Sequence, residues 1–335
     1  MSNEPIPDES VPADRILQVR DLVVEYAVAQ GSVGAVERVS FDLAEGEFLG
    51  IVGESGCGKS TLLFAIAQLL SAPAAITGGE VVFKGRNLVG MTDKLLAASR
   101  WQDLSVVMQS AMNAFNPVKT IGAQFKDAVK AHQRWSREKI RERSAEVLRL
   151  VGIDPVHVKS YPHQLSGGMR QRAMIAMALL FTPDLIIMDE PTSALDVVAQ
   201  RSLMVQIKEL QQQLGFAVIF VTHDMSLVSH FSDRLIVMYA GQVAEFGDTR
   251  SVFDSPAHPY SKGLLEAFPS IRGPRVHMTG IPGNPPALLD PPPGCRFAPR
   301  CPVVMPRCHD TQPDLYEVGD VAVRCLLHAK GEVHV

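Results

Sequence analysis

Two glycine-rich stretches carry most of the chemistry legible in this chain. The first, Gly53-Glu54-Ser55-Gly56-Cys57-Gly58-Lys59-Ser60 followed by Thr61, has the spacing G-x-x-x-x-G-K-[ST]. Its glycines let the backbone turn N–H groups toward an anion, and a helix starting just beyond adds its dipole. In this pattern the lysine reaches the β- and γ-phosphates of a nucleotide, and the hydroxyl corresponding to Ser60 ligates Mg²⁺. Cys57 fills a variable position, as a tolerated small residue rather than a redox switch. The second stretch, Leu165-Ser166-Gly167-Gly168-Met169, opens another helix-like segment far downstream. Each stretch supplies half of an anion site, and the two cannot easily be halves of one. A chain with a single copy of each closes over nucleotide together with a partner.

Acidic and basic groups at the ends of apolar runs extend this chemistry. Asp189 and Glu190 close the run LIIMD. At the carboxyl end of a buried strand they face the ligand crevice of an open α/β sheet. Asp189 is placed to hold Mg²⁺ through water, and Glu190 to orient or deprotonate the attacking water. His223 ends the next apolar run, AVIFVT, at the same sheet edge, where it would touch a γ-phosphate.

Four of the five cysteines, Cys295, Cys301, Cys308 and Cys325, crowd into the C-terminal part with spacing C-x5-C-x6-C-x16-C. In a reducing compartment such a group suggests metal more than disulfides. It contains no C-x2-C pair, so it matches a zinc ribbon poorly, and it lacks the close ferredoxin spacings. Four thiolates would enclose either metal, with His309 and His328 as spare ligands. Arg296, Arg300 and Arg307 lie among the cysteines and read as a solvated basic face.

The elements that must position these groups follow from periodicity. Residues 16–26 and 36–43 alternate like an antiparallel pair of strands, and residues 47–52 form a short apolar run ending at the phosphate loop. Residues 60–70 read as the helix after it. Residues 120–150, rich in Lys, Arg, Glu and Ala, read as exposed helices; 167–180 and 197–214 read as further helices. The runs 185–189 and 217–222 are continuous enough for buried parallel strands. Strands alternating with helices imply an α/β domain with a parallel sheet. Residues 1–14 are polar and acidic and read as disordered. The prolines at 282, 285, 286 and 291–293 suggest a stiff linker ahead of the cysteines. With 335 residues, net charge −4, no basic or apolar leader and no membrane-length apolar run, the chain reads as a cytoplasmic protein with no general pull toward nucleic acid.

Together these motifs resemble the nucleotide-binding subunits of ATP-binding-cassette (ABC) transporters over roughly residues 15–270. Residues 53–60 match the Walker A loop, Gln109 the Q-loop glutamine, residues 185–190 Walker B, Ser193-Ala194-Leu195-Asp196 the D-loop, and His223 the switch histidine. Residues 165–169 resemble the LSGGQ signature, with Met169 where most members have Gln; it follows the glycines, so anion binding is expected to survive. Tyr26 matches the aromatic residue that stacks on adenine. The implied fold is a P-loop ABC ATPase core with an antiparallel β subdomain, a helical subdomain over about 111–180, and a Cys-containing extension over 271–335. The resemblance implies a head-to-tail dimer in which ATP and Mg²⁺ (held by Ser60, Gln109 and Asp189) sit between one cassette's Walker motifs and the other's Ser166, Gly167 and Gly168.

The segments Ala114-Phe115-Asn116-Pro117 running into Thr120-Ile121-Gly122, His258 to Leu265, and the tail from Ile281-Pro282-Gly283 through Gly294-Cys295 and Pro299-Arg300-Cys301 resemble the di- and oligopeptide importer branch. That branch implies a second homologous ATPase subunit, two permease subunits, an extracytoplasmic substrate-binding protein, a place on the cytoplasmic face of the inner membrane, and a [4Fe-4S] cluster on the four cysteines, with zinc as the alternative. Relatives also move nickel chelates, glutathione or oligosaccharides. A soluble cassette acting on nucleic acid or ribosomes fits less well: the gap between the glycine loops holds no sustained heptads, and one chain carries one cassette.

Overall fold

The computed structural model describes residues 15–109, 114–193, 195–267 and 280–329. The acidic N-terminus, Ala194 of the D-loop and the first part of the linker lie outside them.

Arg15–Val28 (β1) and Gly31–Ala44 (β2) form a long antiparallel hairpin. Phe48–Val52 (β3) leads through the phosphate loop into Lys59–Ile66 (α1). Ala74–Phe83 (β4) and Arg86–Asn87 (β5) complete a four-stranded sheet in the order β2-β1-β4-β5. Asp93–Ser99 (α2) and Leu104–Val107 (β6) follow. Then come three helices, Ile121–His132 (α3), Arg137–Leu150 (α4) and Gly167–Ala178 (α5). The chain returns through Leu185–Asp189 (β7), Val197–Leu214 (α6), Ala217–Val221 (β8), Met225–Phe231 (α7), Arg234–Tyr239 (β9) and Gln242–Asp248 (β10). Thr249–Asp254 (α8) and Pro259–Glu266 (α9) precede a tail carrying Tyr316–Val318 (β11) and Val321–Val323 (β12).

The central sheet has the order β11-β12-β10-β9-β3-β8-β7-β6. Its strands β9, β3, β8, β7 and β6 are mutually parallel. Every residue of β3, β7 and β8 is buried, because both faces are covered. Ile187 and Ile219 pack with Leu17, Leu43 and Leu62 on the hairpin side. Their neighbours Ile186 and Val218 face Phe125, Val147 and Ile175 on the helical side. Since β3, β8, β7 and β6 are side by side and parallel, residues 53–60, His223, Asp189, Glu190 and Gln109 emerge at one edge.

One sequence expectation changes here. The helices between 120 and 150 are exposed on one face only. Ile121, Phe125 and Val129 recur every four residues along α3 and are buried, as are Ile140, Val147 and Leu148 on α4. Thr120 and Ser136 cap the two helices by accepting from Ala123 and Lys139 amides. The charged composition concealed a core stripe; truncating Phe125 to Ala would cost about 3–5 kcal/mol.

Beyond its prolines the tail packs onto the cassette. The β11–β12 hairpin adds to the sheet, with Glu245, Phe246 and Gly247 of β10 opposite Val323, Ala322 and Val321. Phe297 is buried against Tyr239, Tyr260 and His258, with ring centroids 5.3–5.7 Å apart. A short segment with little apolar mass gains stability by sharing the core of the larger body.

Candidate nucleotide site and cysteine cluster

The phosphate loop is held by close backbone approaches that only glycine permits. Gly58, which precedes α1, has φ 101°, and a Cβ there would run into the Ala35 carbonyl of β2. Gly53 has φ 151°, and its Cβ would meet the Met238 carbonyl of β9. The Gly241 amide donates to the Cys57 carbonyl at 2.9 Å. Lys59, only 8% exposed, donates through Nζ to the carbonyls of Gly53 (2.8 Å) and Glu54 (2.9 Å) and lies 3.7 Å from Cys57 Sγ. Burial pushes the Cys57 thiol up, which keeps it protonated.

Beside the loop, Ser60 Oγ donates to Asp189 Oδ1 at 3.1 Å. Burial pushes the Asp189 carboxyl up, the Ser60 hydroxyl pulls it down, and neighbouring Glu190 pushes it up again. A buried carboxylate beside a hydroxyl and a second carboxylate is a donor set suited to a hard divalent cation, so Ser60 and Asp189 fit Mg²⁺. Glu190 is held from three directions. Its amide donates to Val221 O at 3.0 Å, Gln109 Nε2 donates to Oε2 at 2.6 Å, and His223 Nδ1 lies 3.3 Å from Oε1. Its φ of 46° is unusual for a non-glycine residue and costs on the order of 1 kcal/mol or more.

These groups surround one cavity of about 530 Å³, large enough for a nucleotide. Tyr26, Val33 and Ala35 line its hairpin side, and Gln109, Glu190 and His223 lie across the phosphate loop. Tyr26 Oη is 3.0 Å from Thr61 Oγ1, so its ring is fixed relative to the helix start. Ser166, Gly167 and Gly168 do not line this cavity. They form the start of α5, where Ser166 Oγ accepts from the Met169 amide at 3.2 Å.

The chain matches the family described as ABC transporter over residues 36–193 and the oligopeptide/dipeptide transporter C-terminal region over residues 244–308. It is 45% identical to the dipeptide transport ATP-binding protein DppD of Bacillus subtilis (strain 168), over 90% of each chain. It is 43% identical to the oligopeptide transport ATP-binding protein OppD of Salmonella typhimurium, again over 90% of each. The chain belongs to the ATP-binding subunits of oligopeptide/dipeptide ABC transporters. Its fold is that of an ABC ATPase: the dimeric post-hydrolysis structure of the ATP-binding cassette MJ0796 bound to ADP and Pi superposes with a TM-score of 0.63 at 30% identity, over 70% of this chain and 99% of that one.

In this ABC ATPase the four tail cysteines converge. Cys295, Cys301, Cys308 and Cys325 all line one small cavity, together with His258, Met305 and Leu326. Burial pushes the Cys295 and Cys301 thiols up, and that of Cys325 up to about 11. Among the described residues, no group of three or more His, Cys, Asp or Glu is gathered tightly enough to hold a metal ion as it stands. The spare ligands of the sequence reading lie elsewhere: His309 is exposed, and His328 Nε2 is 3.1 Å from the Ala257 carbonyl.

The arginines among the cysteines are the clearest correction. Arg296 and Arg300 are 5% and 7% exposed, not a solvated face. Arg296 pairs with Glu37 and donates to the Ala240 carbonyl. Arg300 forks onto Glu54 of the phosphate loop, at 2.6 and 2.9 Å. Sequence reasoning also missed Tyr260, whose hydroxyl accepts from the Glu54 amide at 3.0 Å, and Leu288, which lines the nucleotide cavity. The signals were the stretch from His258 to Leu265, which holds Tyr260, and the tail from Ile281 to Cys295, which holds Leu288; both stand out by resemblance and not by reach.

Proposed function

We propose that this subunit hydrolyses ATP to ADP and phosphate to drive import of di- or oligopeptides. The observation that carries the reading is the joining, in one body, of the phosphate loop, the Asp189–Glu190 pair and His223 with a tail of the peptide-transporter type. Lys59 leaves its carbonyl partners for the β- and γ-phosphates. Ser60, Asp189 and Gln109 would hold Mg²⁺, which would supply positive charge to neutralise the phosphates. Glu190 orients or deprotonates the attacking water, and His223 contacts the γ-phosphate. Tyr26 stacks on adenine, while the amides of residues 53–61 cradle the phosphates.

Ser166, Gly167 and Gly168 serve the site of a second, homologous ATPase subunit. Their place at a helix start, away from their own chain's cavity, supports this. Gln109 passes the motion of closure to two permease subunits, and an extracytoplasmic binding protein delivers cargo. The subunit works peripherally at the cytoplasmic face of the inner membrane; no described helix is long and apolar enough to cross a bilayer. The working division is an N-terminus over 1–14, a cassette over 15–270 and an extension over 271–335.

The cysteines of the extension would hold a [4Fe-4S] cluster, as the resemblance to the peptide-importer branch implies. The convergence of Cys295, Cys301, Cys308 and Cys325 on one small cavity supports this reading, with zinc as the alternative on the same thiols. A structural role suits so small a segment.

Reconstitution with two permease subunits, a second ATPase subunit and a binding protein from the same cell tests the transport reading. Peptide-stimulated ATP hydrolysis is expected. Stimulation by a nickel chelate, glutathione or an oligosaccharide and not by peptides would replace the cargo, and failure to associate with any permease would overturn the reading.

A further inference from the structure

The cysteine-bearing extension reaches the nucleotide site itself. Arg300 is the fixed point. Its side chain is 4% exposed and each of its nitrogens is used: Nη1 and Nη2 fork onto the Glu54 carboxylate, Nη1 also lies 3.3 Å from Tyr239 Oη, Nε donates to the Pro282 carbonyl at 2.8 Å, and Nη2 to the Ile281 carbonyl at 3.3 Å. A bidentate guanidinium–carboxylate pair in a buried setting fixes geometry as well as charge. Glu54 is the second residue of the phosphate loop, and its backbone is pinned on both sides. Its amide donates to Tyr260, and its carbonyl accepts from Lys59, the group that must reach phosphate. One residue beyond Arg300 is Cys301, which lines the cysteine cavity.

We propose that Arg300 is a positioning residue for nucleotide binding: through Glu54 it holds the phosphate loop in the shape that receives ATP, so that the folded state of the cysteine-bearing extension sets the ATP affinity of the cassette. The inference rests on the nucleotide site proposed above. Without Arg300, Glu54 loses its side-chain partner and only the Tyr260 and Lys59 contacts hold the first turn of the loop, while Glu190, His223 and Gln109 keep their contacts with one another. Binding should therefore weaken while the chemical step, once ATP is bound, stays intact.

The test uses the full-length chain, a fluorescent ATP analogue with Mg²⁺, and steady-state hydrolysis. Arg300→Ala should raise Kd and KM about tenfold with kcat within about twofold, the loss expected for one strong charge-assisted contact. Arg300→Lys should fall between. Glu54→Gln should also weaken binding, by less than Arg300→Ala because it leaves no unpaired carboxylate beside the phosphates, and the double variant should be no worse than Arg300→Ala, because both remove the same pair. By reciprocity, saturating MgATP should slow amide exchange over residues 295–301 in the parent and not in Glu54→Gln. An unchanged Kd in Arg300→Ala, additive losses in the double variant, or a fall in kcat alone would overturn the proposal. If Arg300→Ala does not fold, Glu54→Gln decides by the same Kd. Lys59→Ala separates the two readings: unaltered binding there would sink the nucleotide site itself, whereas lost binding there with unaltered Arg300→Ala sinks only this inference.

Discussion

Replacing Glu190 with Gln removes one charge and almost no volume. The carboxylate has two acceptor oxygens, and both are engaged: Oε2 by Gln109 Nε2 at 2.6 Å and Oε1 facing His223 Nδ1 at 3.3 Å. An amide offers one acceptor and one donor: its oxygen can accept from Gln109 and its NH2 can donate to His223 Nδ1 in the Nε2–H tautomer, so both contacts survive but lose the charge that strengthened them. The side chain is 19% exposed, so water offsets part of that loss, and the cost to stability should stay near 1 kcal/mol. The catalytic cost is larger. Losing a positioned base typically slows a reaction by about 10²- to 10⁴-fold, or about 3–5 kcal/mol of barrier. Nothing in the substitution touches Lys59, Ser60 or the loop amides, so nucleotide affinity should change by no more than about threefold. Phosphate release at saturating MgATP gives kcat, and a fluorescent nucleotide titration gives Kd. A kcat within about threefold of the parent would remove Glu190 as the base. A Kd weakened by more than about tenfold would show instead that its charge holds the nucleotide in the ground state.

Lys59→Ala should weaken MgATP binding by at least about tenfold, the worth of one charged hydrogen bond to phosphate, read by the same titration; undiminished affinity would contradict the loop's role. Gly58→Ala forces a methyl group onto the Ala35 carbonyl at a positive φ, so about 2 kcal/mol or more of stability should be lost together with nucleotide binding, and an unchanged melting temperature would refute the packing argument. Protein purified without oxygen should be brown with about four irons per chain, and Ser at Cys301 or Cys308 should bleach it; colourless protein with stoichiometric zinc would sink the cluster. His258 is buried with Nδ1 accepting from the Tyr260 amide at 2.9 Å, and burial pulls its pKa from the usual 6.5 down to about 3. The unfolded chain therefore takes up a proton that the fold refuses, so stability should fall as pH drops below about 6.5, by about 2 kcal/mol between pH 7 and pH 5. His258→Gln should remove that part of the slope in urea titrations, and an unaltered slope would contradict it.

The sheet edge that carries the candidate site was legible because its parts obey local rules. A phosphate loop needs glycines at fixed offsets and a following helix, and a buried parallel strand needs a continuous apolar run. Residues 53–60, 185–190 and 217–223 satisfy those rules within a few residues of chain. The parallel order of β3, β8, β7 and β6 then brings them together with no further information. The helical segment was less legible, since a three-residue stripe such as Ile121, Phe125 and Val129 is outnumbered by the charged residues on its outer face.

The extension was misread for a different reason. Arg296 and Arg300 find their carboxylates 259 and 246 residues away, in the hairpin and in the phosphate loop. No period or motif couples such positions, and an arginine's sequence neighbours say nothing about burial, because its long stem lets the charged head reach a distant partner. Glu54 was equally opaque: within the loop pattern it is a variable position, and only the tail gives it a task. A carboxylate at a free position of a phosphate loop adds negative charge beside bound phosphates, which should oppose binding. Arg300 cancels that charge and turns the side chain outward, away from the cavity whose lining it does not join. The pair therefore makes sense only as a unit: Glu54 is tolerable because Arg300 is present, and Arg300 is buried at low cost because Glu54 receives it. In the full-length chain, Arg300→Ala should then bind ATP worse than the Arg300→Ala/Glu54→Gln double variant, an ordering that neither partner alone would produce.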